Sequence, residues 1–123
     1  MMKPISTRTH GIIDYAYGGA LIVLPFLMRW DRPATRLSLG AGLATLGVSL
    51  VTNYECGLVR LLPMRAHLAM DAAETSMLMG APRVLGSVDN GAGWVLATLG
   101  ALGAAIGAMT QTQSPYERRE LPA

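Results

Sequence analysis

The chain has 123 residues, of which 51% are hydrophobic and 15% are charged, and its formal net charge is +2. This length leaves room for a single domain, and so small and scattered a positive charge excludes a nucleic-acid-binding surface. The one cysteine, Cys56, excludes an internal disulfide and matches no cysteine spacing that binds zinc.

Four helices are predicted, and two of them fall in long uncharged segments. No charged residue lies between Arg36 and Glu55 or between Asp89 and Glu117. Each segment can hold a bilayer-spanning helix, because about 20 residues at 1.5 Å per residue cross a hydrocarbon layer of about 30 Å. A soluble bundle would need a polar outer face on both helices. Residues 37–51 and 94–109 offer only Ser38, Thr45, Ser49 and Thr98 for it, which favours the membrane.

In chain order, the first helix is expected at about 10–28 and the second at about 37–52, with a charged turn at 29–36 between them. A short amphipathic link at 58–62 leads to the third helix, at about 65–86. The fourth helix, at about 93–110, follows a turn at 87–91 whose Asp-Asn-Gly sequence is typical of turns. A polar C-terminal tail, 111–123, is expected to be loose.

The motif R-x-H-x-x-x-D occurs twice, at 8–14 and at 65–71, and Pro25 and Pro82 follow it at equivalent positions. We therefore predict an all-α bundle of four transmembrane helices built from two tandem two-helix repeats, at about 8–55 and 65–112, in one membrane domain over 1–110. Because each repeat crosses the membrane twice, both repeats enter from the same side and are parallel. Six Lys and Arg residues lie in the termini and the middle link against four in the hairpin turns, which predicts cytoplasmic termini.

Four features of the sequence resemble the SPW-repeat family of small bacterial membrane proteins. They are the segment HGIIDY at 10–15, its partner HLAMD at 67–71, the late proline in each odd helix and the linker at 53–63. The resemblance spans about residues 6–110. It implies two membrane helices in each repeat and a multi-pass location in the bacterial inner membrane, and it implies no particular biochemical role. The motif itself differs: LPF at 24–26 and APR at 81–83 keep the proline and lose the serine and tryptophan.

The candidate site combines the two copies of the motif. His10 and Asp14 are four residues apart, as are His67 and Asp71, so each pair shares a helix face. Parallel repeats would place all four at one membrane depth, and Glu74 follows one turn further along the third helix and is expected to face the interior. Two imidazoles with two or three carboxylates suit Zn²⁺, Fe²⁺ or Mn²⁺, and ionisable groups inside a membrane are functional candidates.

A purely structural interpretation stays open beside this one. Acidic side chains are favoured near the start of a helix by its dipole, Arg8 and Arg65 lie close in sequence to neutralise them, and the histidines can form hydrogen bonds at the headgroup level. On this interpretation the protein has no cofactor.

Two functions follow from these interpretations. The first is a non-enzymatic accessory, assembly or structural subunit in the lipid bilayer, either a homo-oligomer or part of a larger membrane complex. The second is a ligand-binding or transport module for a divalent metal or a proton at the five site residues. The first is favoured, because so small a bundle has little interior for a transport path. An enzyme is not expected, since the sequence contains no phosphate loop, nucleophile elbow or HExxH motif.

Overall fold

The computed structural model describes residues 2–86 and 91–120, and within these ranges the protein is all-helical, as predicted. The six helices are α1 (Thr7–Leu27), α2 (Arg32–Leu50), α3 (Met64–Met79), α4 (Ala81–Leu85), α5 (Ala92–Ala108) and α6 (Pro115–Glu120). The four longest correspond to the four predicted helices. Residues 87–90 of the predicted turn lie outside the described residues.

Side-chain caps determine where the first two helices begin. The Ser6 hydroxyl accepts a hydrogen bond from the N–H of Thr9 at 3.1 Å and caps α1. Asp31 caps α2 in the same way through the N–H of Ala34, also at 3.1 Å. The prediction that α2 begins near 37 was wrong, because Pro33 fits the first helical turn, where its missing N–H has no partner to lose.

The third predicted helix is interrupted. Instead of continuing to residue 86, α3 ends at Met79, and Gly80 separates it from α4. Pro82 lies in the first turn of α4, where proline is tolerated, whereas within a continuous helix it would remove a backbone hydrogen bond. Pro25, by contrast, stays inside α1, which ends two residues later at Leu27.

Each long helix packs mainly against one other: α1 lies along α2, and α3 lies along α5. Glycine permits close approach in both pairs. A Cβ atom on Gly42 of α2 would lie 2.8 Å from the carbonyl oxygen of Gly18 in α1, and one on Gly100 of α5 would lie 2.7 Å from that of Thr75 in α3. The backbones therefore touch at these two crossings, which side chains would prevent.

Replacing Gly100 with alanine is expected to destabilise the protein by about 1–3 kcal/mol, because the new methyl group meets main-chain atoms that cannot move independently. The control is Gly107→Ala in the same helix, where an added Cβ meets nothing within 4 Å. That substitution should be neutral or stabilise by up to about 1 kcal/mol through helix propensity. Thermal unfolding compares the two variants, and equal melting temperatures would contradict the close crossing.

The helices expose large apolar side chains and bury polar ones. Many large apolar side chains are exposed, including Ile12, Phe26, Leu43, Trp94 and Leu102. Many polar side chains are buried, including Ser38, Thr45, Ser49, Thr75 and Ser114. Among the described helices, only α1 is both long and apolar enough to cross a membrane, and α5 is apolar but shorter.

The C-terminal tail packs against the rest of the protein up to residue 120. The sequence expectation of a loose tail was therefore wrong for these residues. The Ser114 hydroxyl donates to the carbonyl oxygen of Asn53 at 2.6 Å, and Glu117 accepts a hydrogen bond from the N–H of Met64 at 2.9 Å. Pro63, which precedes α3, makes no side-chain cap, so Glu117 supplies the acceptor that the first turn of α3 needs. The tail therefore folds back over the start of α3.

Candidate metal centre

The only two histidines of the chain lie at matching positions near the starts of α1 and α3, each one turn before an aspartate. The side chains are well inside the protein: His10 is 2% exposed, His67 is 0% exposed and Asp14 is 7% exposed. Asp71 is somewhat more accessible. The local spacing places each His–Asp pair on one helix face, and the packing of the helices turns the two faces toward each other.

The four side chains form a closed arrangement, which we call the His/Asp ring. The shorter contacts join the two helices: His10 Nε2 lies 2.9 Å from Asp71 Oδ2, and His67 Nε2 lies 2.8 Å from Asp14 Oδ2. The contacts within each helix are longer, at 3.2 Å in α1 and 3.1 Å in α3. Each Nε2 atom thus faces both carboxylates, and the two halves of the ring have nearly the same dimensions.

The other nitrogen of each histidine is fixed by a threonine hydroxyl. His10 Nδ1 lies 2.8 Å from Thr110 Oγ1, and His67 Nδ1 lies 2.7 Å from Thr52 Oγ1. Each hydroxyl donates its one hydrogen to the carbonyl oxygen four residues earlier, at 2.7 Å for Thr110 and 2.6 Å for Thr52. Each hydroxyl can therefore only accept from the histidine, so both Nδ1 atoms carry a proton.

Main-chain bonds hold these threonines beside the histidine-bearing helices. The residue after Thr110 donates its N–H to the carbonyl oxygen of Ile5 at 2.9 Å, just before α1. The residue after Thr52 donates to Leu62 at 2.7 Å, just before α3. The sequence analysis missed both threonines. The one signal that the sequence offers for them is their position, because one lies just beyond the end of α2 and the other just beyond the end of α5.

With both Nδ1 atoms protonated, the ring has two limiting states, which differ in the protons on the Nε2 atoms. If each Nε2 also carries a proton, two imidazolium groups pair with two carboxylates. If neither does, two nitrogen lone pairs and two carboxylate oxygens converge, and these donor atoms all lie within 4.8 Å of one another. The N–O separations of 2.8–3.2 Å are hydrogen-bond distances, and they are also close to the separation of about 3.3 Å between two donor atoms that share a zinc ion. The ring could therefore hold a metal ion.

The arginines of the motif do not neutralise the aspartates, contrary to the structural interpretation of the sequence. Arg8 and Arg65 are exposed. Every ion pair found in the described part of the chain lies within the His/Asp ring. The histidine of one helix takes the place of the arginine, because only the imidazoles reach the buried carboxylates.

Glu74 faces the interior but lies outside the ring. Its Oε2 atom accepts a hydrogen bond from the Thr45 hydroxyl at 2.7 Å, and its buried Oε1 atom has no hydrogen-bond partner among the described residues. A small cavity lined by Glu74 is also lined by His10, Asp14 and Asp71. Of the five residues predicted for the site, the structure therefore brings four into contact and places the fifth on an adjoining cavity.

The linker between α2 and α3 covers one side of the ring. The Tyr54 ring lies 5.4 Å from the imidazole of His67, and burial raises the pKa of its hydroxyl, which stays neutral. Burial, together with the nearby charge of Glu55, also raises the pKa of the Cys56 thiol. A thiol with a raised pKa is a poor nucleophile.

The fold and the site define a helical protein with a buried His/Asp cluster suited to a metal ion. Comparisons with protein-family models, with curated proteins and with solved structures find no match. The SPW-repeat resemblance stays a prediction from the sequence.

Proposed function

We propose that this chain is a non-enzymatic integral membrane protein that binds one divalent transition-metal ion in the His/Asp ring. The observation that carries the proposal is the threonine bond on each Nδ1 atom, which leaves both Nε2 atoms directed at the ring. Metal-binding histidines characteristically donate the other ring N–H to a fixed acceptor, which sets the tautomer and the ring orientation. Thr52 and Thr110 supply that acceptor for His67 and His10.

Charge is compatible with the same proposal. With both Nε2 atoms deprotonated, the two imidazoles and two carboxylates carry a net charge of −2, and a divalent cation cancels it, as two protons on the Nε2 atoms also would. Nitrogen and oxygen donors in a set of four suit Zn²⁺, Fe²⁺ or Mn²⁺, as the sequence suggested. Because the donors come from both α1 and α3, the ion would bind the two helices together.

The placement in a membrane is supported by the exposed apolar and buried polar side chains, including Phe26 and Leu43 outside and Ser38 and Ser49 inside. Together with the length and composition of α1, this pattern suits a lipid environment, which accepts apolar side chains on the outer surface. In our proposal all four long helices cross the bacterial inner membrane as two parallel repeats, with both termini in the cytoplasm.

Within the membrane we propose an accessory or assembly role, as a homo-oligomer or as a subunit of a larger complex. The raised pKa of the Cys56 thiol argues against covalent catalysis by this residue. A transport module is less well supported, because the cavity beside the ring has room for only about one water molecule.

The test is the metal content of the protein extracted gently from its own membranes, measured by native mass spectrometry. We expect a mass one divalent ion above that of the chain, and we expect the ion to be lost in a variant that lacks both His10 and His67. If the purified protein is metal-free and its melting temperature does not change with added Zn²⁺, Fe²⁺ or Mn²⁺, the metal proposal is wrong. The ring would then be a pair of ion pairs with a structural role.

Replacing Thr52 with valine is expected to lower the metal affinity by about 10–100-fold, the usual effect of removing a partner of a metal-binding histidine. The shape is kept, but the Nδ1 proton of His67 loses its acceptor. Thr98→Val is the matched control, because Thr98 makes the same bond to a carbonyl oxygen, that of Trp94, and contacts no histidine. Competition with a chelator measures both affinities, and equal affinities in the two variants would contradict the role of Thr52.

A further inference from the structure

A buried carboxylate oxygen without a donor lies beside the His/Asp ring. Glu74 Oε1 is inaccessible to solvent and has no hydrogen-bond partner in the described part of the chain. A carboxylate oxygen left unpaired in the interior costs more than most single interactions contribute. Such an atom therefore calls for an occupant that the protein itself does not supply.

The three hydroxyl groups of the residues that line the cavity beside Glu74 already donate their hydrogens elsewhere. Thr45 donates to the other oxygen of Glu74 at 2.7 Å. Tyr17 donates to a main-chain carbonyl oxygen at 2.7 Å, and Thr75 donates to another at 2.8 Å. Since each hydroxyl has a single hydrogen, no hydroxyl that lines this cavity can donate to Glu74 Oε1 while these bonds persist.

The cavity offers about 20 Å³ to the centre of a water molecule, which is enough for one. It is lined by Glu74 and also by His10, Asp14 and Asp71 of the ring. A single small molecule in this cavity would therefore adjoin both Glu74 and residues of the ring. Tyr17 and Thr75 line the same cavity, and each hydroxyl oxygen can accept a second hydrogen bond.

We infer that a water molecule fills this cavity, donates a hydrogen to Glu74 Oε1 and serves as an additional ligand of the ring-bound metal ion. This inference rests on the metal site proposed above. Glu74 is then a positioning residue for the water. With the four protein donors and this water around it, a bound ion would have one ligand that can exchange, whereas purely structural zinc sites are closed.

The test uses fluoride, an anion about the size of water that can accept hydrogen bonds but cannot donate them. The full-length protein is loaded with Co²⁺, whose visible absorption responds to its ligands, and titrated with fluoride. In the wild type the Glu74 carboxylate should weaken the binding of fluoride in place of the water, because two hydrogen-bond acceptors would then face each other. In Glu74→Gln the side-chain amide can donate to fluoride, so fluoride should bind at least about tenfold more tightly.

Glu55→Gln is the matched control, since Glu55 accepts from the Thr7 hydroxyl at 2.7 Å and does not line the cavity. It should keep the wild-type fluoride affinity. One Co²⁺ per chain with no spectral response to fluoride in any variant would overturn the inference, as would an equal response in wild type and Glu74→Gln. Two Co²⁺ per chain would overturn it in favour of a second cation. Failure to bind Co²⁺ at all would instead refute the metal site itself.

Discussion

Replacing Asp14 with asparagine is expected to lower the metal affinity by at least about a hundredfold. The change removes an anionic metal ligand, which should cost more than the loss of a hydrogen-bond partner of a ligand, about 10–100-fold. Asp14 Oδ2 faces both histidines, at 2.8 Å from His67 and 3.2 Å from His10. With one carboxylate left, the ring can no longer cancel the charge of a divalent ion in an apolar interior. The metal-free protein should also lose about 1–3 kcal/mol of stability, because a buried charged hydrogen-bond network is broken.

Asp31→Asn provides the control for this variant. Asp31 caps α2 through the N–H of Ala34, and asparagine caps a helix as well as aspartate does. Its metal affinity and unfolding temperature should therefore match those of the wild type. Chelator competition and thermal unfolding, each with and without metal, give the two quantities. A metal affinity in Asp14→Asn within a few-fold of the wild type would show that the ring is not the metal site.

Replacing Gly57 with alanine is expected to destabilise the protein by about 3 kcal/mol and to weaken metal binding together with it. A Cβ atom on Gly57 would overlap the main-chain carbonyl oxygen of Thr52, so the backbone of the linker must move. The same linker carries the hydroxyl that accepts from His67 Nδ1 and the Tyr54 ring that lies against His67. A local steric change should therefore affect the proposed metal site without altering any of its ligands.

Gly47→Ala in α2 is the comparison, since an added Cβ there meets nothing within 4 Å. This variant should bind metal like the wild type and be as stable or up to about 1 kcal/mol more stable. Thermal unfolding, followed by circular dichroism, measures the stability, and chelator competition measures the affinity. If Gly57→Ala unfolds at the wild-type temperature and keeps the wild-type metal affinity, the linker does not constrain His67 in the way described.

The sequence was sufficient to predict features that depend on local spacing. A separation of four residues puts His10 with Asp14, and His67 with Asp71, on one face of each helix, whatever lies around the helix. Long uncharged segments likewise predicted the second and fourth helices, which the structure shows as α2 and α5. The errors occurred at the helix ends. Pro33 lies in the first turn of a helix that begins earlier than the hydrophobic pattern suggested, and Gly80 interrupts a helix that the pattern predicted to be continuous.

The sequence could not predict contacts between distant parts of the chain. It suggested Arg8 and Arg65 as partners of the aspartates because they are near in sequence, whereas the histidine of the opposite helix lies nearest in space. It gave Glu74 the same weight as the ring residues, although one further turn carries its side chain to Thr45 instead. Such choices depend on how two helices are rotated and offset against each other, which no periodicity within one helix specifies.

The amino-acid sequence by itself therefore determined the helices, the duplicated His–Asp spacing and the residue types of the candidate metal site, because these are local properties of the chain. Only the tertiary structure decided that the two pairs interlock, that Thr52 and Thr110 fix the imidazoles, and that the segment after α5 folds back over α3. The physical reason is that each of these contacts joins chain segments whose approach is set by packing and chain closure, and not by neighbouring residues.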